Sequence, residues 1–242
     1  MSGLSLAALY RYPVKSLGGE SHRILDVRPR GFGFDRHWML VDPQGRFVTQ
    51  RQQPRMTLIS TRVDEEGGLR LGAPGMPDMD VGPCSDQRVE VSVWGDLVSA
   101  APADPDVNAW LSGFLELPCR LVCFPHEQVR AVDPDFAAPS DQVGFADGFP
   151  FLLISQGSLD DLNRRLEQPV SMRRFRPNLV VDGCEAFAED TWRRIRIGDL
   201  EFRVAKPCSR CIIPTIDLQT GVRGKEPLQT LMGYRRRDNK VY

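Results

Sequence analysis

The chain has 242 residues, of which 41% are hydrophobic and 26% charged, and a formal net charge of −1. This composition fits a globular chain long enough to bury a core, and the near-neutral balance excludes a nucleic-acid binder held by bulk charge. No apolar run approaches the roughly 20 residues that span a bilayer. Met1-Ser2-Gly3-Leu4-Ser5-Leu6 lacks the basic flank and long apolar stretch of a signal peptide, so a cytoplasmic location is expected. In that compartment the six cysteines are expected to stay reduced.

The first hundred residues read as β-structure. Ala7 to Tyr12 is a short strand. His37 to Val41 and Arg46 to Gln50 flank the turn Asp42-Pro43-Gln44-Gly45, which has proline second and glycine fourth. Val89 to Val93 alternates with period two, and Trp94-Gly95-Asp96 turns it back into Leu97 to Ala100. Short strands separated by turns indicate a barrel or sandwich. The Pro/Asp-rich stretch Ala101 to Asp106 marks a candidate boundary, dividing the chain into 1–103 and 104–242.

Beyond it the periods change. Val107, Trp110, Leu111 and Phe114 form a helical stripe. Arg120 to Phe124 reads as a strand, and Pro125 to Phe149 mostly as loop. Phe151 to Ser155 has the signature of a buried strand, and Ser158 to Leu166 that of a helix. Leu179 to Val181 is a further strand, Arg194 to Val204 a hairpin about Gly198-Asp199, and Cys211 to Ile216 is strand-like by its branched residues. Pro227 to Arg235 is a final helix opened by proline.

Cys208 and Cys211 form a C-x-x-C. A zinc site needs two more ligands, for which Cys119 and Cys123 are the available pair. A redox dithiol normally opens a helix, which Ile212-Ile213-Pro214-Thr215-Ile216 resists. A buried pair of small residues is the plain alternative. Lys206 and Arg210 flank the thiols, and such cations favour the thiolate form that binds metals and attract anionic cofactors. Cys84, Cys119, Cys123 and Cys184 lack such flanks and read as structural.

Candidate anion binders lie elsewhere. Lys15 and Ser16 precede Leu17-Gly18-Gly19, whose free amides suit a phosphate; a solvated lysine is the plain alternative. Phe34-Asp35-Arg36-His37-Trp38 sets an arginine among aromatics, with a surface ion pair as its plain reading. Met172-Arg173-Arg174-Phe175-Arg176-Pro177-Asn178 carries three arginines before a strand. In extended backbone Arg176 and Asn178 share a side and form a fork for a polar ligand.

These pieces, in this order, resemble the MOSC superfamily, and within it the mitochondrial amidoxime-reducing component and the bacterial proteins that detoxify hydroxylaminopurine. Tyr12-Pro13-Val14-Lys15-Ser16, Asp35-Arg36-His37-Trp38 and Thr49-Gln50-Arg51-Gln52 match the family's N-terminal domain. The stretch from Phe145 to Ser155, Phe175-Arg176-Pro177-Asn178, Ala188-Glu189-Asp190-Thr191-Trp192 and Cys208-Ser209-Arg210-Cys211 match the MOSC domain. The resemblance implies a mixed, β-rich α+β fold. An N-terminal β-barrel domain precedes a MOSC β-barrel domain with peripheral helices, and the cofactor cleft lies between them.

The resemblance further implies an oxidoreductase that uses a molybdenum cofactor to reduce N-hydroxylated compounds. Cys211 would ligate the metal, with Cys208 beside it. Lys15, Ser16 and Arg36 would hold the pterin's phosphate, Arg176 and Asn178 its other side, and Ser209 and Arg210 the surroundings of the metal. Electrons would come from a separate ferredoxin-, flavin- or cytochrome-type donor; neither nucleic acid nor membrane is an expected partner. The alternative is a sulfur carrier with a persulfide on Cys211, since MOSC domains also occur in cofactor sulfurases; a cofactor-binding or transfer protein without turnover is a third reading. The family continues past the last helix with a closing strand, whereas this chain stops at Lys240-Val241-Tyr242, so an incomplete C-terminal barrel is expected.

Overall fold

The computed structural model describes residues 3–242; Met1 and Ser2, used above in the signal-peptide reading, lie outside the described residues. The elements follow in chain order: β1 (Ser5–Arg11), β2 (Glu20–His22), β3 (Val27–Arg28), β4 (Gly31–Phe32), β5 (Trp38–Val41), β6 (Ser60–Val63), β7 (Leu69–Gly72), β8 (Met79–Val81), β9 (Val89–Val93), β10 (Asp96–Pro102), α1 (Pro105–Leu115), β11 (Arg120–Cys123), β12 (Leu153–Ser155), α2 (Gln156–Asn163), β13 (Leu179–Asp182), β14 (Arg194–Ile197), β15 (Leu200–Arg203), α3 (Leu228–Tyr234), β16 (Arg236–Arg237) and β17 (Lys240–Val241). The fold is the strand-rich α+β type expected.

Two four-stranded sheets carry it, ordered β12-β13-β1-β2 and β5-β11-β10-β9; a third sheet runs β6-β7-β8. The first sheet joins distant parts of the chain. β1 pairs antiparallel with β13, Leu9 facing Leu179, and on its other edge with β2. A strand made at the start of the sequence therefore lies in the middle of a sheet made largely from its end, which no local pattern announces.

The Pro/Asp-rich stretch is not a free linker. Asp104 caps α1 by accepting from the Asp106 amide, and Pro105 opens the helix where its missing N–H costs nothing. Val107, Trp110, Leu111 and Phe114 are buried, in one cluster with Val14, Leu17, Met56, Ile59, Leu69 and Leu71. A second cluster about Met39, Val91, Phe124 and Phe145 fills the other face of the β5-β11-β10-β9 sheet.

Two expected strands are absent. Arg46 to Gln50 makes only single bridges, Phe47 to Val41 and Arg46 to Ser92. Thr49 donates through its backbone and hydroxyl to the Gln52 side chain, and its hydroxyl accepts from the Arg51 amide. Such local capture competes with a ladder. Cys211 to Ile216 is a 3-10 turn over Ile213–Thr215. Pro214 cannot donate, and Thr215 bonds back to the Ile212 carbonyl through both its amide and its hydroxyl.

The expectation of six reduced cysteines is corrected for one pair: Cys84 and Cys123 are joined by a disulfide. Compartment alone gave that expectation, but the packing of the loop after β8 against β11 brings the two Cα atoms to 6.3 Å, within bridging range.

Gly19 has a packing role. A Cβ there would stand 2.4 Å from Tyr12 ring carbons and 3.0 Å from the Arg11 carbonyl, and the Tyr12 ring is fully buried. Gly19→Ala is expected to lower unfolding stability by roughly 1–3 kcal/mol, as overpacking does. A urea titration checks it; an unchanged midpoint would show that the Tyr12 ring has room to move.

Candidate functional site

Tyr12-Pro13-Val14-Lys15-Ser16 leaves β1 and runs under the start of β5. Lys15 N–H donates to the Trp38 carbonyl at 2.8 Å, and Ser16 takes a left-handed φ of 67°. The Lys15 side chain is not solvated; the residue is 4% exposed. Its ammonium donates to the Phe145 carbonyl at 2.7 Å and to the Asp147 carboxylate, both brought across from 130 or more positions away. Burial lowers its pKa to about 8 against the opposing pull of Asp147. Despite its own desolvation, the Asp147 carboxyl stays well below the usual range because Lys15 and Arg51 face it.

The neighbouring amides are committed elsewhere. Leu17 N–H bonds the Val14 carbonyl and Gly18 N–H the Ile59 carbonyl, so the expectation that this run offers free amides to a phosphate is corrected for those two. The loop is instead gripped from the far half, by Arg176 to the Leu17 carbonyl at 2.6 Å and Arg173 to the Gly19 carbonyl at 2.8 Å.

Arg36 and Asp35 form a buried pair, not a surface one. Asp35 also accepts from the Tyr12 amide at 2.8 Å and from Asn178 at 3.1 Å. Arg36 donates to Asn178 Oδ1 at 3.0 Å and to the Arg176 carbonyl at 3.4 Å. Asn178 is 1% exposed and further ties the Tyr10 carbonyl to the Leu152 amide. Arg176 is not extended: with φ 56° it caps the 3-10 turn Met172–Phe175 in left-handed backbone, so the fork expected from extended geometry does not form. Asn178 serves the wall, and Arg176 lies over Tyr12.

The Tyr12 ring gathers both arginines. The guanidinium carbons of Arg36 and Arg176 lie 4.5 and 4.2 Å from its centroid, which favours two like charges side by side. Tyr12→Phe is expected to leave anion binding intact, because the buried hydroxyl has no partner. Tyr12→Leu is expected to weaken it by about 1–2 kcal/mol. Calorimetric titration with inorganic phosphate checks this; equal affinities for the two variants would sink it.

On the rim, Arg51 donates to Asp147 at 3.3 Å and lies 5.0 Å from the Trp94 ring, whose N–H also reaches Asp147 at 3.2 Å. Four cations, Lys15, Arg36, Arg51 and Arg176, thus face two carboxylates, Asp35 and Asp147. Burial lowers even the Arg176 pKa to about 10. Sequence reasoning missed Tyr12, Asp35, Arg51 and Asp147 as parts of this site, although all four sit inside the motifs singled out there.

The cysteine motif lies in a stretch without helix or strand. Cys208 is exposed and Cys211 half-buried. Arg210 N–H donates to the Val241 carbonyl at 2.7 Å, so the terminal β16-β17 ladder holds the motif. Lys206 lies 4.0 Å from the Phe136 ring centroid and Arg210 5.4 Å from that of Phe175. The turn after Cys211 packs on Met172–Phe175, the turn capped by Arg176, and Arg223 donates to the Arg51 carbonyl at 2.6 Å. These contacts draw the cysteine segment toward the cation cluster. Cys119 is held by Ser112 and Cys123 is bridged to Cys84, so neither serves a zinc site with Cys208 and Cys211.

The cluster fits a phosphate-bearing group. Arg176 Nη2 is buried with no partner, and the Lys15 ammonium, with three donors, makes two bonds. The oxygens of a phosphate are acceptors of the kind both lack.

The chain is also similar to known proteins. Residues 3–118 match the MOSC N-terminal beta barrel domain, and residues 140–242 the MOSC domain. The chain is 37% identical over 243 residues to mitochondrial amidoxime-reducing component 1 of Mus musculus, covering 96% of this chain and 71% of that one. The human counterpart is 38% identical over 246 residues, with 97% and 73% covered. A molybdenum cofactor sulfurase of Oryza sativa subsp. japonica is 32% identical over 263 residues, spanning 100% of this chain and 32% of that one. The chain therefore belongs to the MOSC family, pairing the family's N-terminal β-barrel domain with a MOSC domain.

Proposed function

We propose that the protein is a molybdenum-cofactor-dependent oxidoreductase that reduces N-hydroxylated compounds such as amidoximes, hydroxylamines and hydroxylaminopurine, with electrons from a separate donor protein. The carrying observation is the buried cation cluster with an unsatisfied guanidinium N–H, in a chain whose amidoxime-reducing relatives match it over 96% of its length. The bound group would supply two-electron redox chemistry. Lys15, Ser16 and Arg36 would hold its phosphate, Arg176 and Asn178 would border its other side, Ser209 and Arg210 would lie near the metal, and Cys211 would provide the thiolate ligand. The net reaction consumes two electrons and two protons, converting N–OH to N–H and water.

The protein's own contribution is charge and position. Fixed cations in a water-poor wall retain an anionic cofactor more strongly than solvated ones would. The test is molybdenum content by elemental mass spectrometry on protein from a cofactor-competent host, with amidoxime reduction by a chemical electron donor. Near-stoichiometric molybdenum with turnover supports the reading; a folded protein with neither overturns it. The match of the whole chain to 32% of a sulfurase's length, with Cys211 half-buried rather than sealed in the core, favours one rival, a sulfur carrier. A persulfide on Cys211, without bound molybdopterin, would decide for it.

A further inference from the structure

Arg130 belongs to no motif, yet it is a buried arginine with three bonds. Its Nε donates to Asp96 at 2.6 Å, and its Nη1 to the carbonyls of Gly144 at 3.0 Å and Ala146 at 2.6 Å. Its own carbonyl accepts from Val143 N–H at 3.0 Å. Three of these bonds, at Val143, Gly144 and Ala146, fall on one strap, residues 143–147. On its other side the strap touches the Arg36 backbone: Phe145 N–H donates to the Arg36 carbonyl at 2.9 Å. A Cβ on Gly144 would come within 2.9 Å of that same oxygen. The strap is therefore clamped between Arg130 and Arg36.

What the strap delivers is both partners of Lys15, the Phe145 carbonyl and the Asp147 carboxylate. Asp96 opens β10 just after Trp94, whose ring N–H meets Asp147. Arg130 thus ties the β9-β10 hairpin to the strap and brackets Asp147 from two directions. The buried Phe145 side chain and its N–H bond to Arg36 anchor the middle of the strap; the backbone on either side, at Gly144 and Ala146, takes its side-chain bonds from Arg130, and irregular backbone that loses such bonds opens more readily.

We propose that Arg130 is a positioning residue: it fixes the 143–147 strap so that Lys15 is held pointing into the cation cluster. This rests on the functional reading above for its consequence, cofactor retention, but not for its geometry. Removing the guanidinium leaves two carbonyls without donors and frees Asp96, so Lys15 loses its fixed surroundings while the β-sheet cores stay intact.

The chain has only four lysines, Lys15, Lys206, Lys225 and Lys240, so acetylation of each is resolved by peptide mass spectrometry. In the wild type Lys15 is expected to label far more slowly than exposed Lys225. In Arg130→Met the Lys15 rate relative to Lys225 is expected to rise about tenfold or more, as loss of several buried hydrogen bonds implies. Arg130→Lys, which keeps the charge but cannot reach three acceptors, should fall between; it decides the matter if Arg130→Met does not fold. Arg11→Met is the control: Arg11 is as buried, and bonds Glu20 and the Val63 carbonyl instead. The proposal is overturned if Lys15 stays as protected as in the wild type in a folded Arg130 variant, or if Arg11→Met unmasks it equally. Molybdenum content of the same preparations separates the two readings. Unmasking of Lys15 in a protein that never holds molybdenum would sink the reductase reading and leave the positioning role standing.

Discussion

Cys211→Ser is expected to bring molybdenum content to background and to lower turnover by on the order of a hundredfold or more, beyond what loss of a group supporting a ligand costs. A thiolate is a soft donor available near neutral pH, whereas a serine hydroxyl keeps its proton there and is hard. The substitution changes one atom, in a half-buried position flanked by backbone bonds that it does not touch: Arg210 to Val241 on one side and Thr215 to Ile212 on the other. Thermal unfolding should therefore be unchanged, which separates loss of a ligand from loss of fold. Cys208→Ser, at the exposed position, should keep most of the metal. The ligand assignment is reversed if the two variants exchange these behaviours.

Lys15→Met is expected to weaken retention of a phosphate-bearing group by about 10- to 100-fold, the range for a hydrogen bond to a charged group. Methionine keeps most of the buried stem, and Asp147 retains Arg51 and Trp94, so the fold should survive. The pH dependence carries a sign. Burial lowers the lysine to about 8, so phosphate affinity of the free wild type should decline as pH rises through about 8, while the variant shows no such step. Stability moves the other way. Between about 8 and the ordinary 10.5, the unfolded chain holds a proton at this site that the folded chain does not, so this group's contribution rises with pH. Phosphate titrations between pH 6.5 and 9.5 check it, and a wild-type profile without the step would remove Lys15 from the contact.

Much of the architecture was legible in local patterns. The period-two run and turn at 89–100 gave the β9-β10 hairpin, and the stripe from Val107 to Phe114 gave α1. Lys15 stood out as a cation before a flexible glycine run, Arg36 as an arginine among aromatics, and Arg176 as part of a three-arginine run ahead of a strand. Their surroundings were not legible. Whether Lys15 is solvated or buried depends on residues 145 and 147, and whether Asp35 pairs at the surface or inside depends on Asn178. Those are long-range facts, set by which strands pair rather than by spacing. The two misread strands fail for a nearer reason. In Arg46 to Gln50 and Cys211 to Ile216, branched or alternating residues suggest extended chain, but side-chain bonds from Thr49 and Thr215 close the backbone on itself.

The central position of β1 governs how this molecule can be made. Tyr10 and Asn178, 168 positions apart, share a hydrogen bond, so β1 leaves the ribosome long before β13 and waits for it. Until then its edge is unpaired, and a nascent chain in that state is open to association with other chains. Contacts of such long span also slow folding, because the loop must close before any pairing rewards it. The same arrangement makes the protein a poor subject for dissection. A fragment holding only the C-terminal half loses the middle of its sheet together with Lys15 and Arg36, whereas two separately made halves that reassemble would restore strand and cation cluster in a single event.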